Sequence, residues 1–301
     1  MNPREKGFLL LTSHLGDPER PVLTTGQLRI LAKRISELDC TQPDRELTQN
    51  DLLRLGYNRE MSSRILTLLA DWDRLENYLN QGARMDCTPI TRVSPGYPLI
   101  LRQRLGLDSP GCLWAKGDLR LLDTPAISLV GSRELREPNR EFAREVGCQA
   151  ALQGLTLVSG NARGADRAAQ EACLEAGGRV ISIVADELVK QPVRRNQLYL
   201  SEDGFDEAFS AQRALSRNRC IHALGRMVFV AQSDLGRGGT WDGTVKNLRF
   251  GWSSVACFRD GSKAAAELEQ MGAYYVTAEE LTDFLALPKD EVPFSVEGKM
   301  N

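Results

Sequence analysis

The stretch LVSGNARGADRAA, residues 157–169, sets Ser159, Gly160, Arg163, Gly164 and Asp166 between an apolar run and an alanine-rich helical pattern. A strand-to-helix turn of this composition suits an anion. Glycines let a backbone approach a phosphate closely, free N–H groups at a helix start favour negative charge, and arginine adds a planar donor fork. Asp166 is expected to brace the turn by accepting from backbone N–H groups. Two more turns share the chemistry: Gly131-Ser132-Arg133 closes the run AISLVG, and Gly238-Gly239-Thr240 opens a helix after RMVFVA. SRNRCIHALG, 216–225, adds Arg217, Asn218 and Arg219 at the middle of a helix whose other face is apolar. A solvated helix face is the plain alternative for those three. Any one glycine at a strand end is commonly just a turn, but three such turns on one sheet edge favour an anion site.

The elements that must position these residues follow from the apolar pattern. From Ala126 onward AISLVG, LTLVSG, RVISIVA, RMVFVA and SSVACF alternate with helical patterns of 10 to 15 residues. That order predicts an α/β fold, a Rossmann-like doubly wound and mostly parallel sheet. Near-continuous apolar runs are those of strands covered on both faces, and ligands of such sheets sit outside the strands' carboxyl ends. After the run at 179–185 an irregular stretch is expected until a helix over roughly 206–224. Residues 1–83 read as a small helical domain. Thr25 is a candidate cap for a helix bearing Leu28, Leu31, Ile35 and Leu38; Thr48 can start a shorter helix; a third carries Ile65 and Leu68; a fourth carries Leu75 and Tyr78 and stops before Gly82. Residues 84–125, rich in proline and glycine, read as a connector with short extended pieces. The Rossmann-like domain is then 126–290, with a tail over 291–301.

Composition narrows the chemistry. With 42% hydrophobic and 26% charged residues the chain is that of a soluble globular protein. No run of 18 apolar residues occurs, so no membrane span is expected, and the N-terminal apolar core is too short for a signal peptide. Seven scattered cysteines without a CxxC pair suggest reduced thiols in a cytoplasm. Two histidines, His14 and His222, make a histidine-based metal site or a Ser-His-Asp triad improbable. GxGxxG and GxxxxGK[ST] are both absent, so neither ordinary dinucleotide binding nor a P-loop is supported, and no cofactor is assigned. Between 126 and 260 there are 16 arginines and two lysines against 16 acids, so a nucleic-acid site must be a local patch. Trp241 and Trp252 could stack bases, but core packing suits them better.

Taken together, VGSR at 130–133, SGNARGADRAA at 159–169, RNRCIHALG at 217–225 and GGTWDG at 238–243, with GYP at 96–98 and SPGCLWAKGD at 109–118, resemble the DNA-processing protein A (DprA/Smf) family. That family lies within a wider group of Rossmann-like nucleotide-binding proteins (SLOG/LOG). The resemblance covers roughly residues 84–260. It implies a single-stranded DNA-binding protein without known catalysis, acting in DNA uptake and recombination, with a RecA-type recombinase as partner and a homodimer as its assembly. Carried over, the strand pocket comprises Gly131, Ser132, Arg133, Ser159, Gly160, Arg163, Gly164, Arg217, Asn218 and Arg219, rimmed by Gly238, Gly239 and Thr240. The chain departs from the family pattern at Ala165 and Gln170 in GADRAAQ, in the long segment after the third strand, and in GGTWDGT. Two alternatives stay open: a sensor of a nucleotide-derived signal, and a phosphoribohydrolase of the LOG type. The latter needs a glutamate three positions after Thr240, where this chain has Gly243. No catalytic residue is assigned.

Overall fold

Short apolar runs rich in β-branched residues become strands because two covering layers remove both of their faces from water. The computed structural model describes residues 1–36, 46–202, 204–284 and 286–287. Leu38, Cys40 and the expected tail over 291–301 lie outside the described residues. The N-terminal helices are α1 (Pro3–Thr12), α2 (Thr25–Ile35), α3 (Gln49–Arg54), α4 (Arg59–Ala70) and α5 (Trp72–Arg84). Then come β1 (Thr88–Thr91), α6 (Leu99–Leu105), β2 (Cys112–Gly117), β3 (Ala126–Val130), α7 (Glu137–Leu152), β4 (Thr156–Ser159) and α8 (Ala165–Glu175). The chain continues through β5 (Arg179–Val184), β6 (Gln197–Glu202), α9 (Ala211–Leu224), β7 (Met227–Val230), α10 (Gly238–Phe250), β8 (Ser254–Phe258), α11 (Lys263–Gln270) and β9 (Tyr274–Val276).

One sheet runs in the order β1-β2-β6-β5-β4-β3-β7-β8-β9. The seven strands from β6 to β9 in that order pair in parallel, and β2 and β1 extend one edge antiparallel. Alternate residues feed opposite layers. Val130, Val158, Ile181 and Val228 pack with α6, α9, α10 and α11, whereas Leu129, Leu157, Val180 and Phe229 pack with α7 and α8. Trp241 and Trp252 are both in the first of these cores.

Three local expectations are revised. Thr24, not Thr25, caps α2 in a capping box with Gln27. Helix α5 runs through Gly82, where the Trp114 ring lies 2.6 Å from the position of an added Cβ; the glycine serves packing rather than termination. The stretch after β5 is not wholly irregular, because QLYLSE forms β6 between β5 and β2.

The helical N-terminus attaches to the sheet's antiparallel edge through an aromatic cluster. Tyr78 of α5 lies edge-on to Trp114 of β2 at 5.4 Å, and Phe205 closes the group at 4.6 Å from Tyr78. Such pairs add about 0.5–1.5 kcal/mol beyond burial. Among the described residues no helix is long and apolar enough to cross a membrane.

Candidate functional site

Strand order reverses at β3: β4, β5 and β6 follow on one side, and β7, β8 and β9 on the other. At this switch point the loops after adjacent strands diverge to opposite faces and leave a crevice. A cleft of about 860 Å³ occupies it. Its walls are Gly131, Ser132, Arg133 and Glu134 after β3, then Ala162, Arg163 and Asp166 after β4. Arg217 and Asn218 of α9 and the Gly238-Gly239-Thr240 start of α10 complete it.

Close backbone contacts fix the loops. Gly164 adopts a left-handed φ of 91°, and a Cβ there would collide with the carbonyls of Ser132 and Arg133. A Cβ on Gly131 would meet that of Ala165 at 2.5 Å. These two glycines therefore weld the β3 turn to the β4 turn. Ser132 donates from its N–H (3.0 Å) and its hydroxyl (3.2 Å) to the Gln232 carbonyl after β7. The Gln232 side chain accepts from Arg136 N–H at 3.0 Å and donates to the Glu134 carbonyl at 3.0 Å. Sequence reasoning missed Gln232, whose only signal is its place two residues beyond a strand end.

Asp166 braces the second turn: its Oδ2 accepts from the N–H of Gly160 at 3.1 Å and of Ala162 at 3.2 Å. Burial pushes its carboxyl up, opposed by the charge of Arg217. Arg217 is 7% exposed, and burial pulls its guanidinium down against the attraction of Asp166. Neither Nε nor Nη1 of Arg217 finds an acceptor among the described residues. An added Cβ on Gly160 would fall on this guanidinium, so the space over that glycine holds Arg217 rather than a direct approach for a phosphate. Arg133 is exposed at the cleft mouth. Helix α10 begins without a side-chain cap, leaving first-turn N–H groups free at the wall.

Other expected residues are placed differently. Arg163 pairs with Glu134 at 3.1 Å, both well exposed, so the pair is weak and its cation remains available. Asn218 donates to the Gly239 carbonyl at 3.1 Å and joins α9 to α10. Ser159 is fully buried, its hydroxyl held by Gln170, which also donates to Ser182 at 3.1 Å; it does not line the cleft. Arg219 is likewise outside. Two residues along a helix is about 200° of rotation, and its guanidinium meets Glu202 at 2.7 Å and the Asp108 carbonyl at 2.7 Å. The rim also carries residues not anticipated: Phe209, 56% exposed, and Leu215, 53% exposed, with Arg237 beyond. An aromatic in a polar stretch reads as core until its exposure is seen.

His222 is fully buried, and burial holds its pKa down at about 3, so it is neutral near pH 7. A Cβ on Gly243 would lie 3.0 Å from its Nε2, so the position where a LOG-type carboxylate belongs is packed against an imidazole. Among the described residues no group of three or more His, Cys, Asp or Glu could hold a metal.

Comparison with known proteins agrees with this architecture. Residues 88–285 match the family model for DNA recombination-mediator protein A. The DNA processing protein DprA of Streptococcus pneumoniae is 31% identical over 184 residues, 57% of this chain and 65% of that protein. Protein Smf of Escherichia coli is 30% identical over 142 residues, 44% of this chain and 38% of that protein. The aligned stretch thus spans less than two thirds of these relatives' length. The X-ray structure of pneumococcal DprA superposes with a TM-score of 0.72 at 24% identity, covering 93% of this chain and 97% of that one. Helicobacter pylori DNA processing protein A, studied for its single-stranded DNA binding mode, gives 0.55 at 24% identity over 65% of this chain and 94% of its own. At these identities the two structures speak for the fold.

Proposed function

The chain belongs to the DNA recombination-mediator protein A family, and from that premise we propose that it binds single-stranded DNA by its phosphates in the cleft beyond β3, β4 and β7. The observation that carries the reading is Arg217, a guanidinium in the cleft wall with no carboxylate or carbonyl acceptor for Nε and Nη1 among the described residues. Those two nitrogens are sealed from solvent, so a phosphate in the cleft meets the guanidinium through its charge. Arg133, Arg163 and the uncapped start of α10 add cationic and N–H character around it. Phe209 at the rim offers an aromatic face on which a base can stack without sequence preference, with Leu215 as apolar surface beside the cleft. The single-stranded DNA binding described for the Helicobacter relative supports the same ligand.

In this reading residues 126–290 form the DNA-holding domain, and the 1–83 helical domain is free for another partner. The chain works in the cytoplasm as a homodimer, in DNA uptake, recombination or a related transaction, and hands the strand to a RecA-type recombinase. The test is competition. A labelled single-stranded oligonucleotide bound to the protein is challenged with unlabelled single strand, duplex and mononucleotides. Displacement by single strand well ahead of duplex and mononucleotide is expected. Displacement by a mononucleotide at comparable concentration would instead make the cleft a nucleotide sensor or hydrolase.

A further inference from the structure

The molecule has a second large concavity, far along the chain from the DNA cleft. A trough of about 1070 Å³ runs between α1 and α2 and ends on the segment that links β1 to β2. One wall is the α1 face Arg4, Gly7, Phe8 and Leu11, at i, i+3, i+4 and i+7. The facing wall is Leu28, Leu31 and Ile35 of α2, also at helical spacing. Leu107, 47% exposed, closes one end. Four arginines line the trough, Arg4, Arg29, Arg92 and Arg102, and no aspartate or glutamate does among the described residues. None of the four has a carboxylate partner among the described residues. Arg92 and Arg102 are instead held to backbone carbonyls, of Gly106 at 2.7 Å and of Arg92 at 3.2 Å.

An apolar trough whose four arginines meet no carboxylate among the described residues is complementary to an apolar stripe flanked by carboxylates. We propose that it docks an amphipathic helix with acidic flanks, supplied by a partner protein. In helix-in-groove recognition an incoming amphipathic helix lays its own apolar positions i, i+3, i+4 and i+7 into an apolar groove, and a trough between two helices suits it. A volume at the upper limit of small-molecule pockets favours a peptide over a compact metabolite. The apolar lining disfavours nucleic acid, whose backbone would gain nothing from the half-buried Phe8, Leu28 and Ile35. Gly7 sits mid-wall with no atom within 4 Å of an added Cβ, so the trough is open there to an incoming side chain.

Two variants separate docking from folding. Gly7→Met fills the open space and raises helix propensity. Arg4→Glu combined with Arg29→Glu reverses exposed charges, and an acid in the first turn of α1 suits the helix dipole. The probe is a fluorescent 16-residue amphipathic peptide of leucine, alanine and glutamate, titrated into the full chain. A lysine-for-glutamate peptide, a scrambled acidic peptide, anionic phosphatidylglycerol vesicles and a single-stranded oligonucleotide are run beside it. The acidic amphipathic peptide alone should bind, three- to roughly tenfold more weakly to the charge-reversed chain, and be lost on Gly7→Met. Oligonucleotide affinity should be unchanged in both variants, which keeps this outcome separate from the fate of the DNA cleft. Equal binding of lysine and glutamate peptides, insensitivity to both variants, or vesicle or oligonucleotide binding that the variants abolish would overturn the proposal.

Discussion

Arg217 is 7% exposed, and Asp166 is the acid whose charge acts on it most strongly. Truncating it therefore does more than delete a phosphate contact, because the buried Asp166 carboxylate loses its counter-charge. Removing one partner of a buried pair costs about 3–5 kcal/mol. Arg217→Lys is the cleaner change: it keeps the charge but loses the planar fork, so single-strand affinity should fall while the melting temperature moves little. Gly160→Ala acts on the same guanidinium from below, since its Cβ would occupy the position of Nη1. Overpacking of this kind costs about 1–3 kcal/mol, and displacement of Arg217 should weaken oligonucleotide binding in parallel. A Gly160→Ala protein with normal stability and affinity would show that Arg217 does not need that seat. His222 gives a pH signature. Its native pKa of about 3 lies below the ordinary value of 6.5. The unfolded chain therefore takes up a proton that the native state refuses as pH falls below 6.5. Stability from this residue is full above that pH and should drop by about 2–3 kcal/mol at pH 4.5. Urea unfolding of the wild type and His222→Asn at pH 7.5 and pH 4.5 measures it, and the variant should lack that part of the loss.

The rim of the cleft is held by an element that local sequence did not disclose. Arg213, in the first turn of α9, donates to the carbonyls of Ala185 at 2.8 Å, Glu207 at 2.8 Å and Ala208 at 3.0 Å, and to the Ser201 hydroxyl at 2.8 Å. One guanidinium thus ties the segment bearing Phe209 to the ends of β5 and β6. If Phe209 is a base platform, Phe209→Ala should weaken single-strand binding roughly fivefold or more without changing the melting point, since the ring is 56% exposed. Unaltered affinity would remove Phe209 from the site. The five apolar runs from Ala126 onward were legible as strands because each carries its own burial signal. QLYLSE was not: its three apolar residues sit in a charged stretch, and what makes it β6 is pairing with both β5 and β2. β1 and β2 lie where short extended pieces were expected over 84–125, but their place at the antiparallel edge of the sheet follows only from their pairing with each other and with β6. The glycine-bearing turns were legible as a group, but not which side chains face the cleft. Arg217 and Arg219 are alike in sequence, yet only the register of α9 against the sheet sends one inward and the other to Glu202.

At the scale of the molecule, an overall charge of −2 offers DNA no net attraction, so in the proposed reading affinity comes from a local patch, the cleft. The cleft holds Arg133, Arg163, Arg217 and Arg237 against Glu134, Asp166 and Asp234. Two of those acids meet arginines at exposed positions, and Asp166 is spent on backbone N–H groups and Arg217. Arg133 is thus the cation most free to meet phosphate, with Arg163 next, held only in an exposed pair. A site of this kind neutralises a few phosphates rather than many, and its binding should be modest and only moderately dependent on salt. The most direct measurement is fluorescence anisotropy of a labelled single-stranded oligonucleotide over a range of salt, for the wild type and Arg133→Ala. Neutralising two to four phosphates predicts a log–log slope of about −1.4 to −2.8 for single strands, with Arg133→Ala weaker and its slope shallower by somewhat less than one phosphate's share. Absence of binding, or binding whose strength and salt slope are the same in Arg133→Ala, would contradict a phosphate-holding cleft at the carboxyl edge of this sheet.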